Sequence, residues 1–128
     1  MRLLLDTHTF IWFFKGNTQL SNQIRVLIED ENNEKLISTA SMWEMAIKQS
    51  IGKLSFHLPF EEFITQQLSL NDFNLLEIKI EHLTVVSTLP LHHRDPFDRL
   101  LIAQAMVEQI PILSADSAFD AYPIQRLW

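Results

Sequence analysis

Twice in this chain a short apolar run ends on an aspartate, in RLLLD at residues 2–6 and in PILSAD at residues 111–116. Consecutive leucines with no polar alternation do not suit a strand with one wet face, so Leu3, Leu4 and Leu5 mark a strand covered on both sides. KLIST (35–39) reads the same way, NLLEIKI (74–80) alternates in part, and IQRLW (124–128) is a candidate last strand. Helical patterns lie between them. TFIWFFKGN (9–17) stops at Gly16 and Asn17, and SNQIRVLIEDEN (21–32) opens on Ser21 as its cap. SMWEMAIKQSIGKL keeps helical spacing through Trp43, Ile47 and Ile51. In the helix after Pro59, which suits its first turn, Phe60, Phe63, Ile64, Gln67 and Leu68 share one face. EHLTVVSTL (81–89) ends at Pro90, and the clearest helix runs from Pro96 to about Gln109. Strands alternating with helices imply a mostly parallel sheet with helices on both faces, so the expected fold class is α/β, a three-layer α/β/α sandwich.

At 128 residues the chain suits one domain, with a single site to find. A hydrophobic share of 47% and the lack of any biased tract exclude intrinsic disorder. With no cysteine there is no disulfide, thiolate metal site or cysteine nucleophile, which fits a cytoplasmic protein. Asp6, Thr7 and His8 interrupt the apolar N-terminus, so it is not expected to act as a signal peptide, and no segment reaches the roughly 20 apolar residues of a membrane span. Ten basic residues against 16 acidic ones leave a net charge of −6. That sign opposes general attraction to a phosphate backbone, so any nucleic-acid binding must rest on local charge.

In open parallel sheets, ligands bind beyond the carboxyl ends of the strands. Asp6 closes the first strand, Asp116 follows the strand PILS, and Glu44 and Asp98 are expected in the first turns of their helices. Each acid has a structural reading when taken alone. Ser41 and Glu44 match a capping box, Asp98 lies at the third helical position after an Asp95 cap, and Asp6 and Asp116 suit Asx turns. Taken together, four carboxylates at one edge repel one another unless a cation sits among them. Mg²⁺ or Mn²⁺ suits such hard oxygen donors. The chemistry this suggests is metal-assisted hydrolysis of a phosphodiester.

The segments LLLDTHTFIWF, STASMWEMAIK, HRDPFDRLLIAQA and PILSADSAFDAY, in that order and spacing, resemble the PIN-domain ribonucleases, specifically the VapC-like toxins of bacterial toxin/antitoxin pairs. The resemblance covers essentially the whole chain. It implies that Asp6, Glu44, Asp98 and Asp116 hold Mg²⁺ or Mn²⁺ and activate water. It further implies that Ser114 supplies an orienting hydroxyl, with Thr7 as the hydroxyl beside the first acid. Asp95 keeps the cap and Asp98 takes the metal. An endoribonuclease cutting RNA, silenced by a cognate antitoxin, is the activity that follows, with a homodimer as the expected assembly.

Other residues carry two readings each. His92, His93, Arg94 and Arg99 surround one helix start and either contact phosphate or form a solvated loop. Lys48 follows Glu44 by four residues, which suits an ion pair on the helix as well as an RNA contact. Adjacent histidines make a poor metal motif, and His8 and His82 have no visible partner, so no histidine joins the metal set. Phe10, Trp12, Phe13 and Phe14 are too many for one face of a short helix. An exposed apolar patch there is expected to serve the dimer or the antitoxin. Two rival functions are a catalytically silent PIN-like module that binds RNA or protein, and a phosphatase. Retention of all four acids weighs against the first. The second lacks both a paired aspartate two residues after Asp6 and a glycine-rich phosphate loop.

Overall fold

The apolar runs become the strands of a five-stranded, all-parallel sheet in the computed structural model, which describes residues 1–128. In chain order the elements are β1 (Arg2–Leu5), α1 (Thr7–Lys15), α2 (Asn22–Glu29), β2 (Glu34–Ser38), α3 (Thr39–Ser50) and α4 (Phe60–Leu70), then β3 (Phe73–Leu76), α5 (Ile80–Thr88), α6 (Pro96–Glu108), β4 (Ile112–Leu113), a 3-10 turn (Ser117–Ala121) and β5 (Arg126–Leu127). The strand order is β3-β2-β1-β4-β5. β1 is central, pairing Leu5 with Ile37 on one side and with Leu113 on the other.

Strand geometry explains why unbroken leucines suit β1. Successive side chains point to opposite faces, so a strand between two helical layers needs apolar residues at every position. Leu3 and Leu5 join one core with Phe10, Ile24, Ile28 and Phe63, while Leu4 joins the other with Leu101, Ile102 and Phe119. Two cores on opposite sides of one sheet are the three-layer α/β/α sandwich that the alternating pattern predicts.

Several boundaries differ from the sequence reading, each for a local reason. α1 begins at Thr7 instead of residue 9, because the Asp6 carboxylate caps it by accepting the Thr9 N–H at 2.8 Å. α3 begins at Thr39, with Ser38 Oγ accepting the Ala40 N–H at 3.0 Å. Ser41 therefore does not open a capping box, and Glu44 lies in the second turn instead of the first. Pro59 precedes α4 as its cap residue, and β3 is shorter than residues 74–80, since Ile80 already starts α5.

The aromatic cluster on α1 also departs from expectation. Phe10 is buried, and Trp12, Phe13 and Phe14 are partly buried against the same core. Phe14 packs on Phe63 with ring centroids 4.7 Å apart, Phe13 on Phe73 at 5.7 Å, and Trp12 on Trp128 at 5.8 Å. Partners from α4, β3 and the C-terminus surround the short helix, so it leaves no open aromatic patch. Exposed apolar residues lie elsewhere, among them Trp43 and Ile47 on α3, Ile51 at its end, and Leu75, Ile78, Ile80 and Leu83 around the β3 to α5 connection.

Candidate metal centre

The order β3-β2-β1-β4-β5 sends the chain from central β1 outward in both directions, which makes the carboxyl ends of β1 and β4 the switch point where α/β sheets place ligands. Asp6 leaves β1 there, its N–H donating to Leu113 O at 3.1 Å. Thr9 Oγ1 donates to the same carbonyl at 2.9 Å, so the start of α1 is fastened to β4. Ser114 is fully buried between the two acids. Its hydroxyl accepts the Asp116 N–H at 3.0 Å and helps to lower the Asp6 carboxyl. Asp116 in turn caps the 3-10 turn through the Ala118 N–H at 2.9 Å.

The other two acids arrive on helices. Asp95 caps α6 by accepting the Phe97 and Asp98 N–H groups at 2.9 and 3.0 Å. Pro96 is the first helical residue and Asp98 the third. Glu44 is buried on α3, where Lys48 Nζ lies 3.2 Å from its Oε2 in an i,i+4 pair. Its Oε1 is buried with no hydrogen-bond partner. Trp43 meets Phe97 edge to face at 5.1 Å and joins the two helices beside these acids.

Asp98 and Asp116 meet at one nitrogen of His93, and the charges of Asp95, Asp6 and Glu44 also act on Asp98. Burial, followed by the charges of Asp95, Asp6, Glu44 and Asp116, pushes the Asp98 carboxyl up to about 8. Burial also raises Asp6, against the lowering effect of hydrogen bonds from Ser114 and Thr9. Raised carboxyls favour an added positive charge nearby, and the orphaned Glu44 Oε1 lacks a donor. A hard divalent cation satisfies both demands. Asp6, Glu44, Asp98 and Asp116 are oxygen donors of the kind Mg²⁺ and Mn²⁺ select, so the residues present fit such an ion.

The expected flanking residues are placed differently from one another. Thr7 is buried and donates from Oγ1 to Ser41 Oγ at 2.9 Å, which ties α1 to α3. Arg99 holds three carbonyl oxygens, with Nη1 on Pro90 O and His93 O at 3.0 and 3.2 Å and Nη2 on Leu89 O at 3.0 Å. Arg94 is exposed and has no ion-pair or hydrogen-bond partner. His93, left out of the expected metal set, sits inside the cluster, and its Nε2 lies 3.1 Å from Asp98 Oδ2 and 3.3 Å from Asp116 Oδ2. Nothing in the HHRD segment signals this contact, because Asp116 is distant in sequence.

These features define an α/β protein with a carboxylate cluster at the topological switch of a parallel sheet. The PIN-domain family model matches residues 3–125, and the chain belongs to that family. No curated protein sequence matches it. Among solved structures it is similar to VapBC2 of Rickettsia felis bound to a promoter DNA fragment, with a TM-score of 0.75 and 16% identity over 100% of this chain and 99% of that one. It is also similar to DNA-bound VapBC of Salmonella typhimurium (TM-score 0.70, 12% identity, 99% and 97% covered). The PIN-domain endonuclease Utp24 gives a TM-score of 0.53 at 12% identity, covering 99% of this chain and 85% of that one. At such identities the likeness concerns the fold.

Proposed function

We propose that this PIN-domain protein is a Mg²⁺- or Mn²⁺-dependent endoribonuclease acting in the cytoplasm as the toxin of a toxin/antitoxin pair. The observation that carries the reading is a buried Glu44 with one carboxylate oxygen left unpartnered, together with Asp98 and Asp116 held at one nitrogen of His93. Similarity to VapBC assemblies supports the antitoxin partner, and similarity to a PIN endonuclease supports the reaction class.

Asp6, Glu44, Asp98 and Asp116 would hold the ion. When bound it supplies positive charge for the developing phosphorane and makes water more acidic. The chain's own residues set the geometry. Ser114 braces the Asp116 backbone, the N-terminus of α6 presents Asp98 beside the Asp95 cap, and Lys48 neutralises one oxygen of Glu44. Unpaired Arg94 is placed to meet phosphate, and Trp43, 61% exposed beside Glu44, offers an indole on which an unpaired base can stack. For the homodimer we assign the apolar surface of Leu75, Ile78, Ile80 and Leu83 at the β3 edge of the sheet.

Incubating an RNA pool with antitoxin-free protein and Mn²⁺, Mg²⁺ or EDTA, alongside Glu44→Gln, tests the activity. Cuts that need metal and fall by a hundredfold or more in the variant, roughly 3 kcal/mol of barrier, are expected. Folded protein that binds RNA but cuts nothing with either metal would favour the silent module.

A further inference from the structure

Among the residues around the acids, the most heavily anchored lies in a loop. His93 donates its backbone N–H to Tyr122 Oη at 2.8 Å and accepts at its carbonyl from Arg99 Nη1 at 3.2 Å. The same tyrosine takes the His92 N–H at 3.0 Å and donates to Pro90 O at 2.7 Å. Arg99 adds its bonds to Pro90 O and Leu89 O. The imidazole stacks on Phe119, with centroids 5.6 Å apart and planes 28° from parallel, and its side chain is only 13% exposed. A solvated connection between two helices requires none of this ordering.

The ring's hydrogen bonds set its chemistry. Nδ1 accepts the Asp95 N–H at 3.2 Å, so a neutral ring carries its proton on Nε2. That nitrogen stands 3.1 Å from Asp98 Oδ2 and makes a hydrogen bond of 3.3 Å to Asp116 Oδ2. A protonated nitrogen has no lone pair for a metal. Although one ligand atom from each of His93, Asp98 and Asp116 lies within 4.8 Å of the others, this tautomer makes the histidine a donor to Asp116 with the Asp98 oxygen alongside the same N–H.

We infer that His93 is a positioning residue for the metal site, holding one oxygen of Asp98 on α6 and one of Asp116 after β4 so that two acids from separate elements keep a fixed spacing as ligands. The inference rests on the cation-binding reading of the four acids. Arg99 and Tyr122 then serve the site indirectly, by fixing the loop that carries the imidazole.

Mn²⁺ binding to the full-length protein, followed by electron paramagnetic resonance, tests the inference. His93→Ala, checked for folding by circular dichroism, is expected to weaken Mn²⁺ binding by about 10–100-fold, the usual effect of losing a partner that orients a ligand. His93→Gln, whose amide can still donate, should recover part of that loss. Bound Mn²⁺ in the wild type should show no imidazole nitrogen coupling. Unchanged or tighter binding in His93→Ala would overturn the inference, as would nitrogen coupling in the wild type. In both cases Mn²⁺ binding by the wild type would leave the metal site itself standing, whereas its absence there would remove both.

Discussion

Asp98 is the residue on which the site's electrostatics turn. Its carboxyl is raised from 3.8 to about 8 by burial and then by the charges of Asp95, Asp6, Glu44 and Asp116. A carboxyl raised in the folded state binds its proton more tightly there than in the unfolded chain. Metal-free protein therefore loses stability as the pH climbs from about 4 towards 8. Asp6 shifts in the same direction, also through burial. Denaturant titrations in EDTA at pH 5 and pH 8 should show the decline, and Asp98→Asn should flatten it and stabilise the metal-free protein at pH 8 by about 1–3 kcal/mol. A variant less stable than wild type at pH 8 would mean that the carboxylate is satisfied without a cation. This residue's place was legible in the sequence, because Asp95, Pro96 and Asp98 obey local capping rules. Glu44 was misplaced by a turn, since Ser38 and Ser41 are both plausible caps and only backbone geometry selects Ser38. His93 was missed because its role depends on contacts between distant parts of the chain.

Between elements, α5 and α6 are joined by a buried polar network that periodicity does not reveal. Fully buried His82 accepts the Lys79 N–H on Nδ1 at 3.0 Å and meets Glu108 Oε2 through Nε2 at 3.0 Å. The histidine first, then Lys79 and Arg2, hold the Glu108 carboxyl below its ordinary 4.5. This contribution is present above the ordinary carboxyl range and is lost as the pH falls through the lowered value. His82→Ala should cost about 1–3 kcal/mol in denaturant unfolding at neutral pH, because a fully buried ring is removed and Glu108 and the Lys79 N–H lose their partner. A change within 0.5 kcal/mol, the range of ordinary surface substitutions, would contradict that assignment. Strands and helices were readable from their periods, since β1 and α6 follow two-sided and capped patterns. The two-residue β4 and β5 are too short for periodicity to bound, and they take their limits from pairing with β1 and with each other.

For the molecule as a whole, the net charge of −6 and the open apolar residues are the features left for partners. The four aromatics of α1 misled because the sequence does not show which later segments fold back over them; Phe56, Phe63, Phe73 and Trp128 do so. Ile80, 80% exposed, and Leu83, 50% exposed, sit beside the edge strand instead. For the proposed homodimer, replacing both with Glu should halve the mass seen by light scattering while stability stays nearly unchanged, and an unchanged mass would contradict that interface. Calorimetric titration of Mn²⁺ at pH 7, in buffers of different ionisation enthalpy, tests the proposed cation site of the four carboxylates. An Asp98 carboxyl near 8 is mostly protonated at that pH, so saturable binding should release close to one proton, and Asp98→Asn should abolish both the binding and the release. Absence of saturable binding, or binding that persists unchanged in Asp98→Asn, would contradict the account.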